Sequence, residues 1–171
     1  MEIRKTLKVS AAEFFGAVAG SAAKEISQAQ GKRITADRLC TGYSFKKEMK
    51  NSLGMTGEAR ITITAFEKDR EYGSVVRSGR DSYRISYQIE ELGREEIAVT
   101  YREEVQSGER LRALNWQLMS WLMKPFAARR MDRTLAAMEG YIFRSRTAAG
   151  QPIEGQRPNM PLDPGGRDVD F

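Results

Sequence analysis

The sequence predicts an α+β fold in which an antiparallel sheet grips a long C-terminal helix. One segment of alternating polar and apolar residues comes first, and a single amphipathic helix follows it. An unbroken series of alternating segments then leads into a long helix rich in Trp and Met. Consecutive strands with helices set apart at the ends are typical of an antiparallel sheet whose helices lie on one face. Such an arrangement leaves room for a cavity between sheet and helix.

The first strand and helix are predicted from periodicity and capping signals. Residues 2–9 alternate and indicate a strand with one buried face. Ser10 precedes Glu13 by three residues, which predicts a capping box at the start of a helix. Gly31 is placed to end that helix, and a short helical turn is expected at residues 35–39. The apolar stripe of the helix consists of Phe14, Phe15, Val18, Ala22 and Ile26.

Five further alternating segments predict the rest of the sheet. They are residues 42–50, 57–67, 71–78, 82–91 and 95–106. A side-chain period of two places each apolar set on one face of the sheet. In the second of these segments, the set is Ala59, Ile61, Ile63 and Ala65. The short connections, with Gly73, Gly79 and Gly93, are expected to be hairpins.

From about Arg110 to Arg146 the apolar period changes to 3.6, which predicts the long helix. We expect a kink at Pro125, because proline cannot donate the helical hydrogen bond. The half before the kink is apolar nearly all round, so we expect it to be buried on more than one side. We therefore divide the chain into a domain at residues 1–146 and a flexible, Pro- and Gly-rich tail at residues 147–171.

Composition excludes several classes of chemistry. The 171 residues include no histidine and one cysteine, Cys40, so Ser–His and Cys–His catalysis and a zinc site are not expected. No dinucleotide or P-loop motif occurs, and we expect neither a cofactor nor a metal. The single cysteine, the lack of an apolar leader and the absence of any span of about 20 apolar residues indicate a cytoplasmic protein without a transmembrane segment.

Two charged residues lie on otherwise apolar inward faces of the predicted strands. Glu103 shares its face with Val99 and Tyr101, and Lys47 shares its face with Phe45. A charge turned into a cavity is costly unless it is paired or solvated. The two residues therefore either bind the polar group of a ligand, or lie at strand ends where they reach water or pair with each other.

Tyrosines on the same faces form a second cluster, because a phenol offers an apolar body with one hydroxyl. They serve equally well as core residues or as pocket lining. Trp121 lies on the apolar half of the long helix, where we expect it to form part of the core or of a cavity wall. The predicted ligand-binding residues are Phe45, Lys47, Ile63, Tyr83, Tyr87, Tyr101, Glu103 and Trp121.

The net charge of +5 is concentrated in the long helix, where residues 110–146 hold eight basic and two acidic residues. Such a helix can attract nucleic acid, an anionic membrane or an acidic protein partner, or it can simply turn charge to solvent. We do not expect nucleic-acid binding, because the charge excess is modest and no recognition motif accompanies it.

Several stretches identify a family resemblance. They are MEIRKTLKVSAAEFF at the start, ISYQIE at Ile85–Glu90, VTYREEV at Val99–Val105 and LNWQLMSWLMKPFAARRMDRTLAAMEGYI at Leu114–Ile142. Across residues 1–146 the chain resembles a bacterial family, domain of unknown function 3284, within the START and polyketide-cyclase (SRPBCC) superfamily. The resemblance implies a helix-grip fold with a curved sheet of about six strands, and a cavity of the kind that binds lipids, sterols or polyketide-like molecules. It implies no catalytic residues.

The favoured hypothesis is a non-catalytic protein that holds a small, largely apolar or amphipathic ligand between the sheet and the C-terminal helix. The alternative is a regulatory or accessory module that contacts a protein partner through the basic helix and the tail, and the resemblance suggests a link to sugar uptake. An enzyme would have to run acid–base chemistry on Glu103, Lys47 or a tyrosine.

Overall fold

The computed structural model describes residues 1–50, 56–79, 81–106 and 129–147. Its centre is a six-stranded sheet in which every neighbouring pair is antiparallel, in the order β1-β6-β5-β4-β3-β2. The strands are β1 (Glu2–Leu7), β2 (Ser44–Lys50), β3 (Thr56–Glu67), β4 (Glu71–Ser78), β5 (Asp81–Gly93) and β6 (Glu96–Gln106). The predicted antiparallel sheet of about six strands, with a helix after the first strand, is confirmed.

Helix α1 (Ala11–Gln30) connects β1 at one edge of the sheet to β2 at the other edge. The predicted capping box is present, since the Ser10 side chain accepts from the Glu13 N–H while the Glu13 carboxylate accepts from the Ser10 N–H. Gly31 ends the helix with a φ of 64°, a left-handed conformation that suits glycine. The predicted apolar stripe is buried, and a short 3-10 helix (Ala36–Arg38) follows.

The predicted inward position of Ala65 and the predicted place of Gly73 in a hairpin turn are both wrong. A β-bulge in β3, opposite β4, explains both differences. The β3–β4 register shifts between Ile63 and Ala65, so Ala65 leaves the inward set and Phe66 takes the place opposite Tyr72. Gly73 lies within β4 opposite Ala65 rather than in a hairpin turn. A Cβ atom on Gly73 would lie 2.9 Å from Thr64 Oγ1, so a side chain at this position would force Thr64 to move.

Residues 129–147 form the described part of the C-terminal helix, α2. The side chains that it buries against the core are Met131, Leu135, Met138 and Ile142, as the spacing predicted. Three polar contacts fix it to the start of the chain. Lys5 Nζ donates to Asp132 Oδ1 at 2.6 Å, and the Lys8 N–H donates to Glu139 Oε1 at 2.6 Å. Arg146 donates to both carboxylate oxygens of Glu13 at 2.6 Å.

Candidate functional site

The face of the sheet that packs against α1, called here the inner face, is aromatic where α1 covers it. Cross-strand pairing places Phe66, Tyr72, Tyr87 and Tyr101 side by side on β3 to β6. The Phe14 ring of α1 meets the Tyr87 ring edge-on at 6.1 Å between centroids. We call this row, with Phe14 and Phe15 of α1, the closed end of the inner face. Its tyrosines are buried core residues.

The opposite end of the inner face is less covered, and we call it the open end. Cross-strand pairing aligns Ile61, Val76, Tyr83 and Val105 in one row on β3 to β6. Val76 and Tyr83 are half-buried, and 37% of Val105 is exposed. Glu103 lies in the adjacent row, opposite Ile85. The open end therefore offers apolar surface beside a carboxylate.

A chain of hydrogen bonds joins the two ends. The Tyr101 hydroxyl donates to Glu103 Oε2 at 3.3 Å, and the Tyr83 and Tyr101 hydroxyl oxygens lie 3.5 Å apart. Tyr101 is fully buried, whereas Tyr83 and Glu103 are half-buried. A carboxylate has about four acceptor positions, and Tyr101 fills one of them. Glu103 can therefore accept further hydrogen bonds from a molecule at the open end.

Lys47 is engaged elsewhere in the structure. Its ammonium donates to Glu25 Oε1 of α1 at 2.8 Å, and both side chains are partly exposed. Lys47 and Glu103 lie on β2 and β6, with three strands between them, so the proposed pairing of these two residues does not occur. Sequence patterns had not identified Glu25 as the partner, although its place beside Ile26 on the buried stripe of α1 offered a signal.

Burial keeps the core tyrosines protonated. Desolvation is the main cause that raises the pKa of Tyr72 to about 12, and the Glu25 carboxylate adds to the shift. Desolvation likewise raises the pKa of Tyr87 and of Tyr101 well above the usual value, and negative charge on Tyr83 or Glu103 would raise both further. These phenols are therefore hydrogen-bond donors rather than bases at neutral pH.

The predicted binding residues fall into three groups. Phe45, Ile63, Tyr83 and Glu103 lie in two adjacent rows at or beside the open end. Tyr87 and Tyr101 belong to the closed end, and Lys47 lies on the edge strand. Trp121 lies outside the described residues. Val76 and Val105 share the row of Tyr83 and lie on the predicted faces of their strands. The binding residues predicted from the sequence do not include them.

A separate depression lies on the outer face of the sheet, beside the β3 bulge. Its wall includes Arg84, Arg102, Glu71 and Glu104, so its charges are mixed. Arg102 is already paired with Glu2 and bonded to Gln88. Within the described ranges, no group of three or more His, Cys, Asp or Glu residues could hold a metal ion. No described helix has the length and apolar character needed to cross a bilayer.

Comparison with known proteins gives a family and a fold. Residues 1–124 match the family described as "Domain of unknown function (DUF3284)". No curated protein matches the chain. A conserved protein from Geobacillus kaustophilus is similar in structure, with a TM-score of 0.53 and 12% identity over 84% of this chain and 95% of that one. This likeness shows the fold.

Two other solved structures have a TM-score of 0.49 and 10% identity. Norcoclaurine synthase from Thalictrum flavum, in complex with dopamine and hydroxybenzaldehyde, is covered over 86% of its length and 84% of this chain. A protein from Mesorhizobium loti is covered over 96% of its length and also 84% of this chain. The six-stranded antiparallel sheet, the helix after β1 and the C-terminal helix are those of the helix-grip fold.

Proposed function

Since the chain belongs to the DUF3284 family, whose description assigns no activity, we propose a function from its geometry. The protein holds a small, largely apolar or amphipathic molecule at the open end of the inner face, between the sheet and the C-terminal helix, without catalysis. One observation carries this proposal: a partly exposed apolar row lies directly beside the hydrogen-bonded chain of Tyr83, Tyr101 and Glu103. Apolar walls with a few fixed polar groups are typical of small-molecule sites.

The polar side chains in and near the proposed site also indicate which head group the ligand carries. The ionised carboxylate of Glu103 accepts hydrogen bonds and cannot donate them. Its bond from Tyr101 leaves other acceptor positions on the carboxylate unfilled. Lys47, which would attract an anionic head group, is already paired with Glu25. The site therefore favours an apolar body that ends in a hydrogen-bond donor, such as an amine or a hydroxyl group, over one that ends in a carboxylate.

The same contacts support binding rather than catalysis. A general base must be able to take a proton near the working pH. Burial raises the pKa of the Tyr87 and Tyr101 phenols and keeps both protonated, so neither is available as a general base at neutral pH, and Lys47 is engaged in an ion pair. We retain a cytoplasmic location as part of the proposal, since the lone Cys40 is a free thiol.

Calorimetric titration with two matched amphipaths tests the proposal. Octylamine and octanoate share the same chain length and differ in the head group, and both are added below the concentration at which they form micelles. We expect octylamine to bind more tightly than octanoate. In Glu103→Gln the affinity for octylamine should fall about 10- to 100-fold, the usual range for a hydrogen bond to a charged group.

Glu104→Gln is the matched control, because Glu104 is the next residue along β6 and points to the outer face. It changes the net charge by the same amount and should leave octylamine binding within twofold of the wild type. Equal binding of the two amphipaths, or an equal loss in both variants, would show that Glu103 does not select a donor head group. Failure of both amphipaths to bind would contradict the proposed site itself.

A further inference from the structure

The charges of α2 are sorted between its two sides. Both of its acidic residues are engaged by the start of the chain, Asp132 by Lys5 and Glu139 by the Lys8 N–H. Arg146 is paired with Glu13. Four more charged residues lie in the 129–147 segment, and all four are exposed arginines, namely Arg129, Arg130, Arg133 and Arg144. The side of α2 opposite its buried residues is therefore cationic, since both acidic residues are bonded to the start of the chain.

Three of these arginines lie in one stripe along the helix. The spacing of 3.6 residues per turn aligns Arg129, Arg133, Ala137, Gly140 and Arg144 opposite the buried residues of α2. At 1.5 Å per residue, Arg133 and Arg144 are about 16 Å apart along the axis. The stripe residues between these two arginines, Ala137 and Gly140, are small, so a partner backbone can come close in the middle of the stripe, beside the Arg144 guanidinium that lies next to Gly140. Among the described residues, no carboxylate is paired with the arginines of this stripe.

We propose that this arginine stripe docks an acidic helical segment of a partner protein. A helix with carboxylates eleven residues apart on one face would pair with Arg133 and Arg144 at the same time. Arginine suits this role because its planar guanidinium bonds carboxylates through two parallel N–H groups. Ala137 carries only a methyl group and Gly140 carries no side chain, so the two helices could pack at close range there.

Two other anionic partners fit the same charges less well. A helix that lies on a membrane buries an apolar face in lipid, but the apolar face of α2 (Met131, Leu135, Met138 and Ile142) is already packed in the core, which leaves Phe143 as the large apolar side chain exposed in residues 129–147. Single-stranded nucleic acid is usually bound with bases stacked on aromatic rings. Phe143, the exposed aromatic residue among residues 129–147, lies beside the stripe, and the Arg146 guanidinium already occupies one face of its ring at 5.3 Å from the centroid.

An NMR titration of the full chain tests the proposal and can detect weak binding. The probe is a helical alanine–glutamine peptide of about 20 residues with two glutamates eleven residues apart, and the reference peptide has glutamine at both positions. We expect the glutamate peptide to shift the amide resonances of Arg133, Ala137, Gly140 and Arg144. Arg133→Gln combined with Arg144→Gln should weaken binding about three- to tenfold, as the loss of two exposed ion pairs implies.

The double variant Arg33→Gln with Arg94→Gln is the matched control. It removes the same net charge from exposed positions outside α2, and it should bind the glutamate peptide like the wild type. Equal shifts with the glutamine peptide, or equal losses in both double variants, would overturn the proposal. Tighter binding to phosphatidylglycerol vesicles or to a single-stranded oligonucleotide at the same salt concentration would also overturn it.

Discussion

The two ends of the inner face share strands and side-chain types, yet they differ in what covers them. At the closed end, Phe14 and Phe15 of α1 pack on an aromatic row, and the tyrosines there are buried. At the open end, Val76, Tyr83 and Val105 keep part of their surface. The difference shows that strand alternation decides which face a residue occupies, whereas the helices decide whether that residue is buried core or partly exposed surface. We expect stability to depend on the closed end and ligand affinity on the open end.

The largest effect is expected from Phe14→Ala at the closed end. Phe14 is fully buried against Tyr87, so its truncation leaves a cavity and should lower the free energy of unfolding by about 3–5 kcal/mol. Phe143→Ala is the control, because Phe143 is 42% exposed and stacks only on Arg146 among the described rings and cations. It should cost less than about 1 kcal/mol. Urea unfolding measures both losses in the free energy of unfolding. Similar losses in the two variants would contradict the view that the closed end determines stability.

A pair of valines on one strand sharpens the comparison further. Val99 and Val105 point to the same face of β6, but Val99 is fully buried and Val105 is 37% exposed. We expect Val99→Ala to lower the free energy of unfolding by about 2 kcal/mol and Val105→Ala to lower it by less than about 1 kcal/mol. Octylamine titration should show the reverse order, with weaker binding in Val105→Ala and unchanged binding in Val99→Ala. A loss of affinity in both variants would mean that the two ends are not separate.

The smallest effect is expected from the ion pair that joins α1 to α2. The Arg146 guanidinium is the main cause that lowers the pKa of Glu13 from 4.5 to about 2. Because the folded state binds this proton less readily than the unfolded state, the pair stabilises the fold above pH 4.5, and the stabilisation is lost as the pH falls toward 2. Both side chains are about one-third exposed, so the effect should be a few tenths to about 1 kcal/mol.

Urea unfolding at several pH values, with Glu13→Gln as the reference, measures this effect. Glutamine keeps the capping box but cannot form the ion pair. The wild type should be more stable than the variant at pH 6, and the difference should shrink as the pH falls from about 4.5 to about 2. A constant difference over that range would show that Glu13 contributes mainly as a cap.

Local signals predicted much of this fold, because they act over a few residues. Ser10 and Glu13 predicted the start of α1, Gly31 predicted its end, and alternation placed Glu103 and Tyr101 on the correct face. The bulge at Ala65 could not be predicted in this way, because a register shift depends on the partner strand and on the missing side chain of Gly73. The Lys47–Glu25 pair also depends on how α1 lies across the sheet. The expected kink at Pro125, and residues 148–171 of the tail predicted at residues 147–171, lie outside the described residues.

The most direct test of ligand binding is native mass spectrometry of the full chain purified from its source, followed by organic extraction of any bound molecule. Binding at the open end predicts one small molecule per chain, with an apolar body and a hydrogen-bond donor, and predicts that Glu103→Gln loses it while Glu104→Gln keeps it. An empty wild-type protein that octylamine also fails to stabilise against heat would contradict the proposal that this protein holds a small molecule.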